Sequence, residues 1–322
     1  MGKFSLKGRN WKQFLSDNKP VVVLLILVVT MSFLSDRFLT WSNIITVLRQ
    51  TSINAVIATG MTFAILIGGI DLSVGSVLAI TGAIAASLVA SGMNIILVVI
   101  LTLLIGLGIG LLNGLLISKG RLQPFIATLG TMTLLRGLTL VYTQGRPISI
   151  FGSDTSAMFS KIGTGYFLGI PIPVYIMLVV FFISWYTLNH LKIGRYTYAL
   201  GSNEEATMYS GIKTDNIKLF VYAVAGVLAA LAGIIVTARL GSAQPTAGSG
   251  YELDAIAAVV IGGTSMAGGI GTIFGTAIGA MIIGILNNAL NMLQVSSYYQ
   301  DVAKGVVILI AVLLDRKQRK SR

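Results

Sequence analysis

Between Ile53 and Ala90 the chain carries one charged residue, Asp71, in a stretch about twice as long as one helix needs to cross a bilayer. Such a run must fold as two helices with a break between them. The break falls at GGIDLSVGS, residues 68–76, where glycines, a carboxylate and two hydroxyls interrupt the apolar pattern. Irregular backbone at this depth survives only where protein or a water-filled cavity satisfies it. Gly68, Gly69, Asp71 and Ser73 are therefore candidate helix-break or pathway residues, with Asp71 able to cap the following helix, to line a pathway, or both. A second double-length stretch follows the Gly-rich segment SAQPTAGSGYELDAIAAVVIGGTS, residues 242–265, which places Glu252 and Asp254 at its entrance.

With 55% hydrophobic and 11% charged residues among 322, the chain cannot hide its apolar surface in one soluble core. It reads as an all-α polytopic membrane protein, a single transmembrane domain over 1–322 with about ten helices, some broken or re-entrant. The expected spans are Val21–Leu34, two within 53–90, Ile95–Ile117, Phe125–Tyr142, Val174–Leu191, Leu219–Ala238, two sharing the second long stretch, and one opened by Tyr298, Tyr299, Asp301 and Lys304. Ser35–Thr51 is expected along the outer surface, and the long loop from Thr143 to Ile172 reads either as an outer gate or docking surface or as a passive connection. The N-terminal apolar run follows Lys3, Lys7, Arg9, Lys12 and Lys19 and reads as a retained signal anchor.

A net charge of +12 raises the question of nucleic acid, but the charges lie in short blocks between apolar runs. Membrane orientation explains them, and no nucleic-acid partner is expected. The segments expected in the cytoplasm hold 16 of the 23 Lys and Arg residues, which puts both termini in the cytoplasm. Arg136 falls inside a span and needs a partner or a path to the interface, while Asp301 and Lys304, three apart, are expected to neutralise each other. There is no cysteine, and the one histidine, His190, reads as an interfacial residue. Metal, cofactor and triad chemistry lack their residues. No GxxxxGK[ST] sequence is present, so the chain does not bind ATP through a P-loop.

Internal symmetry is partial. Ala64, Ile67, Gly68, Gly69 and Gly75 match Ala258, Ile261, Gly262, Gly263 and Gly269 at an offset of 194, whereas Leu112-Asn113 matches Leu286-Asn287 at 174. The Asn match, between spans of opposite direction, fits an inverted five-plus-five arrangement and makes Asn113 and Asn287 candidate pathway residues. The Gly match fits two similar helix breaks.

The polar interruption from Lys192 to Lys218 reads as a cytoplasmic docking loop. Ser202 and Glu205 have capping-box spacing and Gly211 supplies a stop, predicting a helix from about Asn203 to Ser210. At roughly 12 Å it is too short to cross a bilayer or to persist alone, so something must pack on it. Glu204 and Glu205 sit at its positive end, and Ala206 and Tyr209 share a face.

Taken in order, GGIDLSVGS, NEEATMYSGI at 203–212 and the 242–265 segment resemble the monosaccharide permease family of bacterial ABC importers, over nearly the whole chain and most closely its ribose branch. The resemblance implies ribose or a similar monosaccharide as cargo and a place in the bacterial cell membrane. It also implies a second permease copy forming a homodimer, an ABC ATPase subunit and an extracytoplasmic sugar-binding protein. The family's ATPase-coupling segment falls on Asn203, Glu204, Glu205, Ala206, Thr207, Tyr209, Gly211 and Ile212, with Thr207 in place of the more usual alanine. Two further classes compete with a permease that has no chemistry of its own. A cation-coupled secondary sugar carrier needs titratable groups deep in the membrane, for which Asp71, Arg136, Asp301 and Lys304 are the candidates. An intramembrane hydrolase fails on the position of His190.

Overall fold

The computed structural model describes residues 19–296, 298–306 and 309. The basic N-terminal flank before Lys19 and the basic tail from Arg316 to Arg322 lie outside them. The first long apolar stretch folds as α2 (Trp41–Leu66) and α3 (Val74–Ala90), preceded by α1 (Lys19–Leu34) and followed by α4 (Ile95–Ser118) and α5 (Pro124–Thr143). The polar interruption carries α8 (Lys192–Ser202) and α9 (Glu204–Tyr209), entered from α7 (Ile172–His190) and left through α10 (Thr214–Leu240). The second long stretch gives α11 (Tyr251–Ile261) and α12 (Ile273–Met292), and residues 298–306 are helical. Five of these, α4, α5, α7, α10 and α12, are long and apolar enough to cross a membrane, and α1 and α3 are shorter apolar helices. The protein is a multi-pass membrane protein, mostly helical over its described residues.

Two expectations change. Trp41–Thr51 is not separate from the following span: α2 starts at Trp41 and runs unbroken for 26 residues with no proline inside it, and the hydroxyls of Thr59 and Thr62 are satisfied by the Ala55 and Ala58 carbonyls one turn earlier. The long loop is folded too. It holds β1 (Ile148–Ser149), α6 (Asp154–Thr164) and a hairpin of β2 (Tyr166–Phe167) with β3 (Ile170–Pro171), while β1 pairs antiparallel with β4 (Ser242–Ala243) beyond α10. A Cβ on Gly163 would strike the backbone of Arg239, so α6 seats directly on the end of α10.

The core forms around α10. Gly226 meets Gly106 and Gly110 of α4, Gly233 meets Gly82 of α3, and Ala225 meets Gly60 of α2, each so closely that an added Cβ would crowd the neighbouring backbone. Small residues replace the hydrophobic drive that is missing between helices in lipid, because backbones that approach this closely gain dispersion contacts.

Both breaks close their helices in the same way. Gly68 takes φ +75° and the Gly69 amide donates to the Ala64 carbonyl at 2.9 Å; Gly263 takes φ +89° and the Thr264 amide donates to the Val259 carbonyl at 3.2 Å. These are glycine C-caps with a bond spanning five residues. The caps correspond at an offset of 195, one residue out of step with the sequence match, so the Gly match reflects cap chemistry. The breaks also touch, since the Gly269 amide donates to the Leu66 carbonyl at 2.9 Å.

Candidate functional site

Three groups of sequence-selected residues occupy defined places. At the first break, Asp71 is buried and its Oδ1 accepts from the Ser73 amide at 2.9 Å and the Ser73 hydroxyl at 2.6 Å. The N-cap of α3 is Ser73, which makes no side-chain cap bond, so Asp71 does not cap α3 itself and instead closes a turn onto the Ser73 amide just before it. Ser73 Oγ accepts from Asn113 Nδ2 at 2.9 Å, and Asn113 Oδ1 accepts from the Thr131 hydroxyl at 2.7 Å. A continuous polar chain therefore joins the start of α3 to α4 and α5. Thr128 adds a bond to the Ile70 carbonyl at 3.2 Å. Tyr222 of α10 is fully buried with its hydroxyl set against Gly69, where a Cβ would collide, and among the described residues that hydroxyl has no hydrogen-bond partner.

At the second long stretch, Asp254 lies in the first turn of α11 and accepts from Asn287 Nδ2 at 3.2 Å. Its other partner is Lys304, whose ammonium is 3.2 Å from Oδ1 and 3.3 Å from Oδ2. The expected neutralisation of Asp301 by Lys304 is thus replaced: Asp301 is exposed, and the lysine turns inward to a buried carboxylate whose desolvation demands a partner. Glu252 Oε1 accepts from the Gly250 amide at 3.3 Å, while its Oε2 is buried without a partner among the described residues. Arg136 also finds a partner that sequence spacing could not reveal, donating to the Ala247 carbonyl at 2.9 Å.

The two glycine-rich segments meet at Gly75. A Cβ there would strike the Gly248 carbonyl and come within 2.5 Å of Glu252 Oε2. The starts of α3 and α11 therefore face each other, which brings Glu252 to the first segment, whereas Asp71 with Asn113 and Asp254 with Asn287 form two separate networks.

The third group is the polar interruption. Its N-cap is Asn203, whose side chain accepts from the Ala206 amide at 2.9 Å. The capping box expected from Ser202 and Glu205 does not form, because Ser202 still belongs to α8 and bonds back to the Tyr198 carbonyl at 2.9 Å. Sequence reasoning missed α8, whose two glycines disfavour a helix. Packing reverses that preference: a Cβ on Gly201 would clash with the Leu66 carbonyl and the Gly269 amide, so α8 lies against both breaks. Tyr198 donates to the Gly271 carbonyl at 2.8 Å, and burial pushes its hydroxyl pKa upward. Within α9 only Thr207 is buried; Glu204, Glu205 and Ala206 are exposed and Tyr209 is 83% exposed. Gly211 takes φ +82° at its end, followed by Ile212, whose amide closes onto the Thr207 carbonyl at 3.4 Å.

This arrangement supplies hydroxyls, amides and short polar chains and no nucleophile with a base. His190 stands at the end of α7, stacked on Tyr186 at 4.9 Å between ring centres. Among the described residues no three His, Cys, Asp or Glu side chains are grouped to hold a metal.

Residues 43–312 match the family described as Branched-chain amino acid transport system / permease component. The chain is similar to the Ribose import permease protein RbsC of Haemophilus influenzae, 60% identical over 303 residues that cover 94% of each chain. It is 54% identical to the protein of the same name from Escherichia coli K12, over 98% of this chain and 99% of that one. It is 44% identical to the D-allose transport system permease protein AlsC of Escherichia coli K12, over 96% and 94%. No solved structure matches it.

Proposed function

The chain belongs to the family of branched-chain amino acid transport system permease components, and from that premise we propose that it is the permease subunit of an ATP-driven importer moving ribose or a similar monosaccharide into the cytoplasm. The carrying observation is the 54–60% identity to ribose import permeases across nearly the full length. Against that, the family description's branched-chain amino acid is a broad label. The chain is a transport subunit without catalysis of its own, and a separate ATPase hydrolyses ATP.

The exposed helix α9, with Glu205, Ala206 and Tyr209 outward, is the surface for that ATPase. Its shortness and single buried residue support the reading, since six residues do not hold a helix in water without a partner. A second permease copy completes a homodimer, and a sugar-binding protein approaches the opposite end, where α6 and the hairpin lie. Ten spans, with both termini in the cytoplasm, agree with the order of the helices and with the blocks of basic residues.

The order of elements supports an inverted repeat. The run α2, α3, α4 corresponds to α10, α11, α12, and Asn113 of α4 has its counterpart in Asn287 of α12, each bonding a polar group at the start of a short helix. Contacts correspond too: α4 packs on α10 as α12 packs on α2, through Gly284 against Thr51. Transporters with such repeats place cargo where short helices begin, so the pathway is assigned to the junction of Gly75, Gly248 and Glu252. Transport then follows from a two-state equilibrium that ATP and the binding protein bias from opposite sides.

The test is uptake of labelled ribose into vesicles holding the chain with its ATPase, supplied with the sugar-binding protein. ATP-dependent ribose uptake, unaffected by an uncoupler and not competed by leucine, is the expected result. Uptake that stops with the proton gradient while ATP remains would replace this reading by a cation-coupled carrier.

A further inference from the structure

Lys218 and Tyr222 lie four residues apart near the start of α10 and so one turn apart on one face. Each touches a different element. The Lys218 ammonium bonds Glu204 Oε1 of α9 at 2.6 Å, and the lysine side chain is only 13% exposed. Tyr222 presses its hydroxyl against Gly69 in the first break. Between the two contacts is a cavity of about 410 Å³ whose wall includes Gly68, Gly69, Pro124, Glu204 and Lys218. Among the described residues, the bond to Lys218 is the only ion pair that α9 makes.

These contacts make α10 the common neighbour of the docking helix and the break. Ala225, Gly226 and Gly233 of α10 lock it against α2, α4 and α3, so a displacement of α10 carries the helices on both sides of the break with it. A half-buried ion pair is directional and short, so it resists separation of α9 from α10 in a way that the exposed faces of α9 do not. The cavity opens on one side of the break, while Tyr222 keeps a tight contact on Gly69 at the other.

We propose that Lys218 is a positioning residue for transport: its ion pair with Glu204 is the joint through which a movement of α9 reaches α10 and, by way of Tyr222, the Gly68–Ser73 break. This rests on the reading of α9 as the ATPase-docking helix. A neighbouring cluster, Asp215 with Lys119 at 3.0 Å and Arg121 at 3.8 Å, ties α10 to the α4–α5 turn and, among the described residues, includes no ion pair to α9.

The experiment uses the full complex in vesicles and reads two quantities, the ATPase that co-purifies and the sugar delivered per ATP hydrolysed. Lys218→Met is expected to keep the ATPase at the unaltered ratio while sugar per ATP falls about tenfold, within the range of ordinary coupling energies. Lys218→Arg, which keeps the charge, is expected to restore most of it. Should Lys218→Met fail to accumulate in the membrane, Lys218→Gln takes its place with the same expectation. Unchanged sugar per ATP in the neutral variant, or an equal loss in the Arg variant, overturns the proposal. Loss of the ATPase from the neutral variant overturns it too, since the pair would then belong to the docking surface. If the unaltered chain fails to retain the ATPase, the reading of α9 itself falls.

Discussion

Buried charge in this protein is held in two different ways. Asp71 is stabilised by the Ser73 amide and hydroxyl, whereas Asp254 has a full counter-charge in Lys304 as well as Asn287. Removing one member of a buried pair leaves the other desolvated and alone, which costs on the order of 3 kcal/mol, while removing both is often close to neutral. Lys304→Met should therefore lower the melting temperature of the detergent-purified protein clearly, and adding Asp254→Asn should recover most of the loss. Melting curves of the two variants check this; a double variant no better than the single one would show that the pair contributes no more than its separate parts. Sequence spacing pointed instead to Asp301. An exposed pair three apart on a helix is worth only a few tenths of a kcal/mol, so a buried carboxylate 50 residues upstream outcompetes it. Local spacing reports local neighbours, and this contact depends on how the last helix docks.

Helices and their breaks were largely legible because each depends on chemistry a few residues wide. The gap between α2 and α3 follows from glycines in an apolar run, and α9 ends at Gly211 as expected. The start of α9 was misplaced by one residue because α8, invisible in its own composition, claims Ser202. Gly211 illustrates how the structure sharpens a test. Its φ of +82° disfavours any side chain, yet nothing lies within 4 Å of where a Cβ would go, so strain and not collision governs substitution. Asp tolerates this conformation better than most residues and a β-branched side chain tolerates it worst. Gly211→Val should accumulate normally in the membrane and lose most ATP-driven uptake, with Gly211→Asp intermediate. Vesicle uptake normalised to membrane-inserted protein measures it, and equal uptake in all three would separate the helix stop from coupling.

Orientation of the molecule is set by charge outside the hydrocarbon, and the two ends differ. One end gathers α8, α9 and the α4–α5 turn, where Lys119 and Arg121 face Asp215. The other gathers β1, α6 and the hairpin, joined to the bundle where the Ser153 hydroxyl bonds the Val89 carbonyl at the end of α3. The orientation proposed above puts the first end in the cytoplasm, on the side of the basic blocks in the sequence, and the second end outside. Because the chain contains no cysteine, single introduced thiols report their side of the membrane without background. Ala157→Cys, exposed on α6, should react with an impermeant maleimide in intact cells whose cytoplasmic membrane is accessible from outside. Ser210→Cys, exposed at the end of α9, should react only after the membrane is opened. The reverse pattern would place α9 outside, beyond the reach of any cytoplasmic ATPase, and with it would go both the docking role of α9 and the joint at Lys218.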